Sequence, residues 1–222
     1  MKKIILNVLL FSFITVACYA GTELKVGTYN VRYYNTDDKG LKAWSSRKSY
    51  VAQILIDHKY DIVGLNEVRT TTQQKDLHNL MKGYDYVEYE DGKKHNWNSI
   101  YFLQDKFEAL ESGYYFLSVD GNAKTYWDNS TNIRHTTWVK LKVKNTEEIL
   151  YYFSTHLDQT GVMARQEQAR INVEHVRKIA GNYPAIIAGD HNCTDGWTFI
   201  YDYYRSYLKH QLLNGLLLLP HL

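Results

Sequence analysis

Proline and cysteine are scarce in this chain. Two prolines in 222 residues rule out a proline-rich linker, and no repeat or low-complexity tract takes its place. Of the two cysteines, Cys18 lies in a leader-like start and Cys193 stands alone in the remainder. An internal disulfide is therefore excluded once the leader is gone. Net charge is also missing. The chain carries 26 basic and 24 acidic side chains. Cleavage after Ala20 would remove Lys2 and Lys3, leaving 24 against 24. No bulk positive field remains to draw in a long polyanion, so nucleic acid is disfavoured as a partner on charge. The start is too short and wrongly flanked to span a membrane. Lys2 and Lys3 precede the apolar run 4–17, and Cys18-Tyr19-Ala20 puts small residues at the cleavage positions. Residues 1–20 are predicted to be a secretory signal peptide, with export as the consequence. A lipoprotein acylated at Cys18 ranks second, because Thr15 sits where an aliphatic residue is usual. No protein partner can be inferred.

What is present is a chain long enough for one domain with a sizeable core. Twenty tyrosines suit sheets with one half-wet face. The segment 184–194 organises the rest. Four apolar residues follow Pro184 and end at Gly189, which reads as a buried strand. Asp190 and Asn192 follow, two positions apart, and share one side if the chain stays extended. Such a pair can hold a water, a metal or a phosphate oxygen, or can merely form an Asx turn. Three other predicted strands finish the same way. Residues 24–30 end at Asn30, residues 61–67 at Asn66 and Glu67, and residues 149–158 at His156 and Asp158. Four strands that each deliver a polar residue at the carboxyl end point to one shared site. Cys193 beside it reads either as a catalytic thiol or as a small buried residue, the second being the better reading because nothing pairs it with a base.

In chain order, residues 44–58 read as a helix that buries Val51, Ile54 and Leu55. With the strands on either side this makes a β-α-β unit, which places Asn30 and Glu67 on the same sheet edge. Glu67 could instead be a surface acid capping the next helix. That helix, about 71–81, is capped by threonines and stopped by Gly83. Residues 84–89, 98–103, 107–117, 136–143 and 149–155 read as short strands in antiparallel meanders. The long loop 120–135 holds Trp127, Asp128, Asn129, Asn132 and Arg134, and a loop of that length is more often functional than idle. Residues 161–180 form an amphipathic helix, and residues 197–208 look helical. Two mixed sheets packed face to face with helices outside satisfy this order.

The ordered set Thr28-Tyr29-Asn30-Val31-Arg32, Asp61-Ile62-Val63-Gly64-Leu65-Asn66-Glu67, Asn98-Ser99-Ile100-Tyr101-Phe102, Arg134-His135-Thr136-Thr137-Trp138, Ser154-Thr155-His156-Leu157-Asp158 and Gly189-Asp190-His191-Asn192 resembles the endonuclease/exonuclease/phosphatase superfamily. These are DNase I-like metal-dependent phosphoesterases, and exported bacterial members are the most similar. The resemblance covers about residues 24–208. It implies an α+β fold, a four-layer α/β/β/α sandwich of two mixed sheets. It also implies hydrolysis of a phosphodiester or phosphomonoester. Glu67 would bind Mg²⁺ or Mn²⁺, with Asn30 completing the metal and phosphate pocket. His156 would donate to phosphate oxygens, Asp190 would orient or deprotonate the attacking water, and Asn192 would fix the phosphate. Arg32, Asn98, Asp158 and Arg165 could touch substrate or support the site, or could be structural. A small phosphoester is favoured over nucleic acid as substrate.

Three departures from the pattern stand out. Asn66 replaces the usual Gln before the metal Glu. His191 replaces the usual Phe and reads as a partly buried structural residue. The third concerns residues 209–222, an anomalous Leu-rich tail with no acidic side chain after Asp202 and seven leucines from 211 to 222. The family's further strand with an Asp and its terminal Ser-Asp-His motif are not found there. The expectation is a second half incomplete at the C-terminus, with the domain running 21–208. Activity of this chain would be impaired, and a non-catalytic phosphate-ligand-binding protein or a non-functional product are the alternatives. The tail is expected to add no strand or helix.

Overall fold

The computed structural model describes residues 23–89, 98–121, 125, 127–128, 132–193 and 204, and the backbone of residues 15–19, 22 and 217–220. Five strands form the first sheet: β1 (Thr15–Tyr19), β2 (Thr22–Asn30), β3 (Ile62–Asn66), β4 (Tyr84–Glu88) and β5 (Asn98–Leu103), ordered β1-β2-β3-β5-β4. The second holds β6 (Phe107–Phe116), β7 (His135–Val143), β8 (Ile149–His156), β9 (Ala185–Asp190) and β10 (Leu217–Pro220), ordered β10-β9-β8-β7-β6. In each sheet a parallel pair is joined through a helix. α1 (Trp44–Asp57) links β2 to β3, and α3 (Val162–Ala180) links β8 to β9. Antiparallel strands complete each sheet through β5–β4 and β7–β6. Both sheets are thus mixed, as the alternation of helical and meander segments predicts.

The layers follow from period-two alternation. In β3 every residue is buried, the signature of a strand covered on both faces. Val63 and Leu65 pack with Val51, Ala52 and Leu55 of α1 and Leu77 of α2 (Thr71–Leu80). Ile62 turns the other way, into a core shared by both sheets with Leu24, Val26, Val139, Leu141 and Ile186. On the far side Tyr151, Phe153 and Ile187 meet Ala169, Val173 and Val176 of α3. The order is helix, sheet, sheet, helix.

The sheets approach closely at Gly64. A Cβ there would sit 2.9 Å from Ser154 Oγ and from the Tyr152 hydroxyl. Buried Tyr152 uses that gap. Its hydroxyl donates to the Gly27 carbonyl at 2.6 Å and accepts from the Gly64 N–H at 2.9 Å. One β8 side chain therefore satisfies backbone groups on β2 and β3 that would otherwise be orphaned between the sheets.

Two expectations change. The Leu-rich tail does add an element, since β10 pairs parallel with β9, Leu217 opposite Ile186. The unpaired backbone edge of β9 is a template for any apolar extended segment, and a run of leucines carries no period that would announce it. Ile54, expected to face the core, is 43% exposed, while Trp44 and Ala52 take its place on the buried face of α1. The helix expected over 197–208 lies outside the described residues except for Tyr204, which is helical and fully buried. β1 falls inside the predicted leader and pairs antiparallel with the outer edge of β2.

Candidate active site

β2, β3, β8 and β9 run parallel within their sheets, so their carboxyl ends gather at one edge of the sandwich. Asn30, Asn66, His156 and Asp190 are their last residues. Asn30 joins the two sheets. Its amide nitrogen donates to Glu67 Oε1 at 2.9 Å and to Asp190 Oδ2 at 2.8 Å, and its oxygen accepts the Arg32 N–H at 2.8 Å. The second Glu67 oxygen accepts the Tyr33 N–H at 2.9 Å. His156 Nε2 lies 3.7 Å from Asp190 Oδ2. Asp190 Oδ1 accepts the Asn192 N–H at 2.9 Å, and the Asn192 amide donates to the Leu157 carbonyl at 2.9 Å. The Asx turn read from the sequence is therefore present, and it aims the Asp190 carboxylate at Asn30.

Below this lies a buried amide relay. Asn66 donates to Asn98 Oδ1 at 2.7 Å and to the Thr155 carbonyl at 3.0 Å, and accepts the Asp190 N–H at 3.0 Å. Asn98 donates to the His135 carbonyl at 2.7 Å. Both amides are fully buried. Asn66 thus holds three strand ends in register.

The backbone is strained at the same edge. Arg32, Glu67 and Asn192 adopt φ of +53°, +67° and +48°. Each is one or two residues past the end of β2, β3 or β9. Left-handed non-glycine residues cost energy and persist only where surrounding contacts hold them. Those contacts are on view. Arg47 donates to the carbonyls of Val31 and, at 2.6 Å, Arg32. Buried Gln73 donates to the Arg32 carbonyl at 3.0 Å and accepts the Tyr34 N–H at 2.8 Å.

The remaining predicted residues are placed nearby, with different tasks. The Arg32 guanidinium forms a fork with Asp38 at 2.9 and 2.7 Å on the exposed rim, and that pairing holds the Asp38 carboxyl below its ordinary range. Asn98 supports Asn66 from beneath. Fully buried Asp158 spends Oδ1 on the N–H groups of Thr160 and Gly161, both at 2.8 Å, at the start of α3. Arg165 holds the Asp158 carbonyl at 2.9 Å. His191 is buried against Tyr204, with ring centroids 5.4 Å apart. Cys193 is half-buried beside the α3 core.

One charged residue at this edge carries no assignment from the sequence. Arg134, just before β7, is 4% exposed. Burial lowers its pKa to about 10, against the raising effect of Asp158, Asp190 and Glu67, so it stays charged at neutral pH. Its signal was an arginine at the mouth of a buried strand, but the pairing of β7 with β8 that brings it to Asp158 is not written in local sequence.

The donor set suits a hard divalent cation. Glu67 and Asp190 each give one oxygen to Asn30 and keep further lone pairs. Among the described residues no group of three or more His, Cys, Asp or Glu could hold a metal. Mg²⁺ fits a sparse carboxylate set because it keeps several waters.

The model of the endonuclease/exonuclease/phosphatase family matches residues 27–211. Among solved structures, the endonuclease/exonuclease/phosphatase from Bacteroides vulgatus is 32% identical, with 83% of this chain and 71% of that chain covered and a TM-score of 0.77. The mannosyl-6-phosphatase of Bacteroides thetaiotaomicron VPI-5482 is 31% identical, covering 82% of this chain and 69% of that chain at a TM-score of 0.74. The human Nocturnin catalytic domain with bound sulfate anion is 21% identical, covering 80% and 66% at a TM-score of 0.64, a likeness of fold. A search of curated proteins gives no match. With the family match running through all four strand ends that build the site, the chain belongs to the endonuclease/exonuclease/phosphatase family.

Proposed function

We propose that this chain hydrolyses a small phosphoester with the help of a divalent cation, Mg²⁺ or Mn²⁺. The observation that carries the reading is the Asn30 amide, shared between Glu67 of one sheet and Asp190 of the other. Glu67 and Asn30 are the residues that would hold the cation. When bound, it would neutralise charge growing on the phosphoryl oxygens and the leaving group. Asp190, fixed by Asn30, Asn192 and Asn66, orients a water and accepts its proton as the water oxygen forms its bond to phosphorus. The ester P–O bond breaks, and the departing alkoxide takes a proton from solvent. His156 donates to a phosphoryl oxygen, where the developing charge is greatest. Asn192 sets the turn that aims Asp190.

A small substrate is favoured because formal charges balance in the mature chain. The Bacteroides neighbour described as a mannosyl-6-phosphatase lies in the same direction. Export through residues 1–20 belongs to this reading, and sequencing of the mature N-terminus would give Gly21 first. The test is phosphate release from p-nitrophenyl phosphate with Mg²⁺, with and without chelator. Chelator-sensitive turnover that Glu67→Gln abolishes is the expected result. Phosphate binding by calorimetry without any turnover would replace the hydrolase with a binding protein.

A further inference from the structure

We infer that Arg134 is a specificity-determining residue that selects a phosphate dianion, and hence a phosphomonoester over a diester. The inference rests on the phosphoesterase reading above. Arg134 is nine-tenths buried or more, and its Nε lacks a hydrogen-bond partner. A buried guanidinium left short of partners is costly, and folds seldom keep one without a use. Asp158 Oδ2 is 3.8 Å from Arg134 Nε, which is too long for a hydrogen bond. The other oxygen of that carboxylate, Oδ1, is engaged on the N–H groups of Thr160 and Gly161 just before α3, close to a helix N-terminus that offsets part of its charge. Arg134 therefore keeps both charge and donor capacity.

Its position directs that capacity to the site. The Arg134 carbonyl accepts the Leu117 N–H at 2.8 Å, which fixes the backbone between the end of β6 and the end of β8. Asp190 and Glu67 are close enough to act on its charge, as they would on a phosphate held between them. A divalent cation would cancel those two carboxylates. Arg134 then leaves the pocket positive, and the planar guanidinium fork matches a terminal phosphate. A monoester carries nearly two charges above its second pKa near 6, whereas a diester carries one. The same cation is therefore worth more to the monoester.

The test is calorimetric titration with Mg²⁺ at pH 8, using inorganic phosphate as dianion and dimethyl phosphate as monoanion. Wild type, Arg134→Gln and Arg134→Lys are compared. Wild type is expected to bind phosphate about tenfold tighter or more. Arg134→Gln should lose about that factor for phosphate and little for dimethyl phosphate. Arg134→Lys, which keeps the charge without the fork, should fall between. Equal loss for both anions, or no loss, would make Arg134 structural and overturn the inference. Wild type binding both anions equally would overturn it while leaving the hydrolase reading standing. Wild type binding neither would sink both. If Arg134→Gln does not melt cooperatively, the wild-type preference and the lysine variant decide.

Discussion

Tyr152 shows how much one buried hydroxyl can hold. It closes backbone groups on two strands of the opposite sheet, Gly27 and Gly64. Tyr152→Phe keeps the ring and removes the closure, stranding a buried carbonyl and a buried N–H. The expected loss is about 1–3 kcal/mol, read as a lower urea midpoint with an unchanged slope. The same scale decides which site residues could be read from sequence. Asn30, Glu67, His156 and Asp190 were legible because each ends an apolar run, and a polar side chain in that place is noticed. Asn98 opens an apolar run and Asp158 follows one, yet their side chains are spent on Asn66, His135 and the residues just before α3. Sequence gives the residue type and not its depth. Arg134 was placed in a loop read as functional but given no role, because its neighbours come from β8 and β9, distant in the chain.

At the scale of elements, α1 and α2 are tied through one carboxylate. Asp76 accepts from Trp44 Nε1 at 2.8 Å and from Lys48 Nζ at 2.9 Å. Burial alone would raise its pKa, but the hydrogen bonds from Lys48 and Trp44 outweigh that and hold it below the ordinary carboxylate range. The unfolded chain then takes up the proton first as pH falls. The tie contributes fully above the ordinary carboxylate pKa and is lost as pH drops through the lowered folded value. Asp76→Asn should flatten this acid-side limb of the stability curve relative to wild type, a difference within about 1 kcal/mol and measured by urea midpoints between pH 6 and pH 3. A second test belongs to β9. Gly189 has φ +148°, and a Cβ there would collide with the Thr155 backbone. Gly189→Ala should unpair the ends of β8 and β9, lowering stability by roughly 3 kcal/mol and activity with it. The helices and the inner strands were legible from their periods and the turn residues around them. The irregular register between Ala109 and Glu111 of β6 was not, because pairing partners are set across sheets rather than along the chain.

Across the whole molecule, the site is the seam between two similar halves, each a β-α-β unit extended by antiparallel strands. A cation held by Glu67 beside Asp190 binds only when both sheets are docked, so binding must add to folding stability. Millimolar Mg²⁺ should raise the melting temperature of wild type and leave Glu67→Gln unmoved. A shift of equal size in both proteins would place the cation elsewhere. The seam also sets a timetable. Chains are made from the amino end at about 5–20 residues per second. The β2–α1–β3 unit that carries Asn30 and Glu67 is complete by residue 66, and β5, the last strand of its sheet, by residue 103. Their partner Asp190 ends β9, the last strand but one among the described residues. The earliest-made half of the site must wait for β9 to be synthesised, so a chain stalled or released before residue 190 carries Asn30 and Glu67 without the carboxylate that Asn30 ties to them.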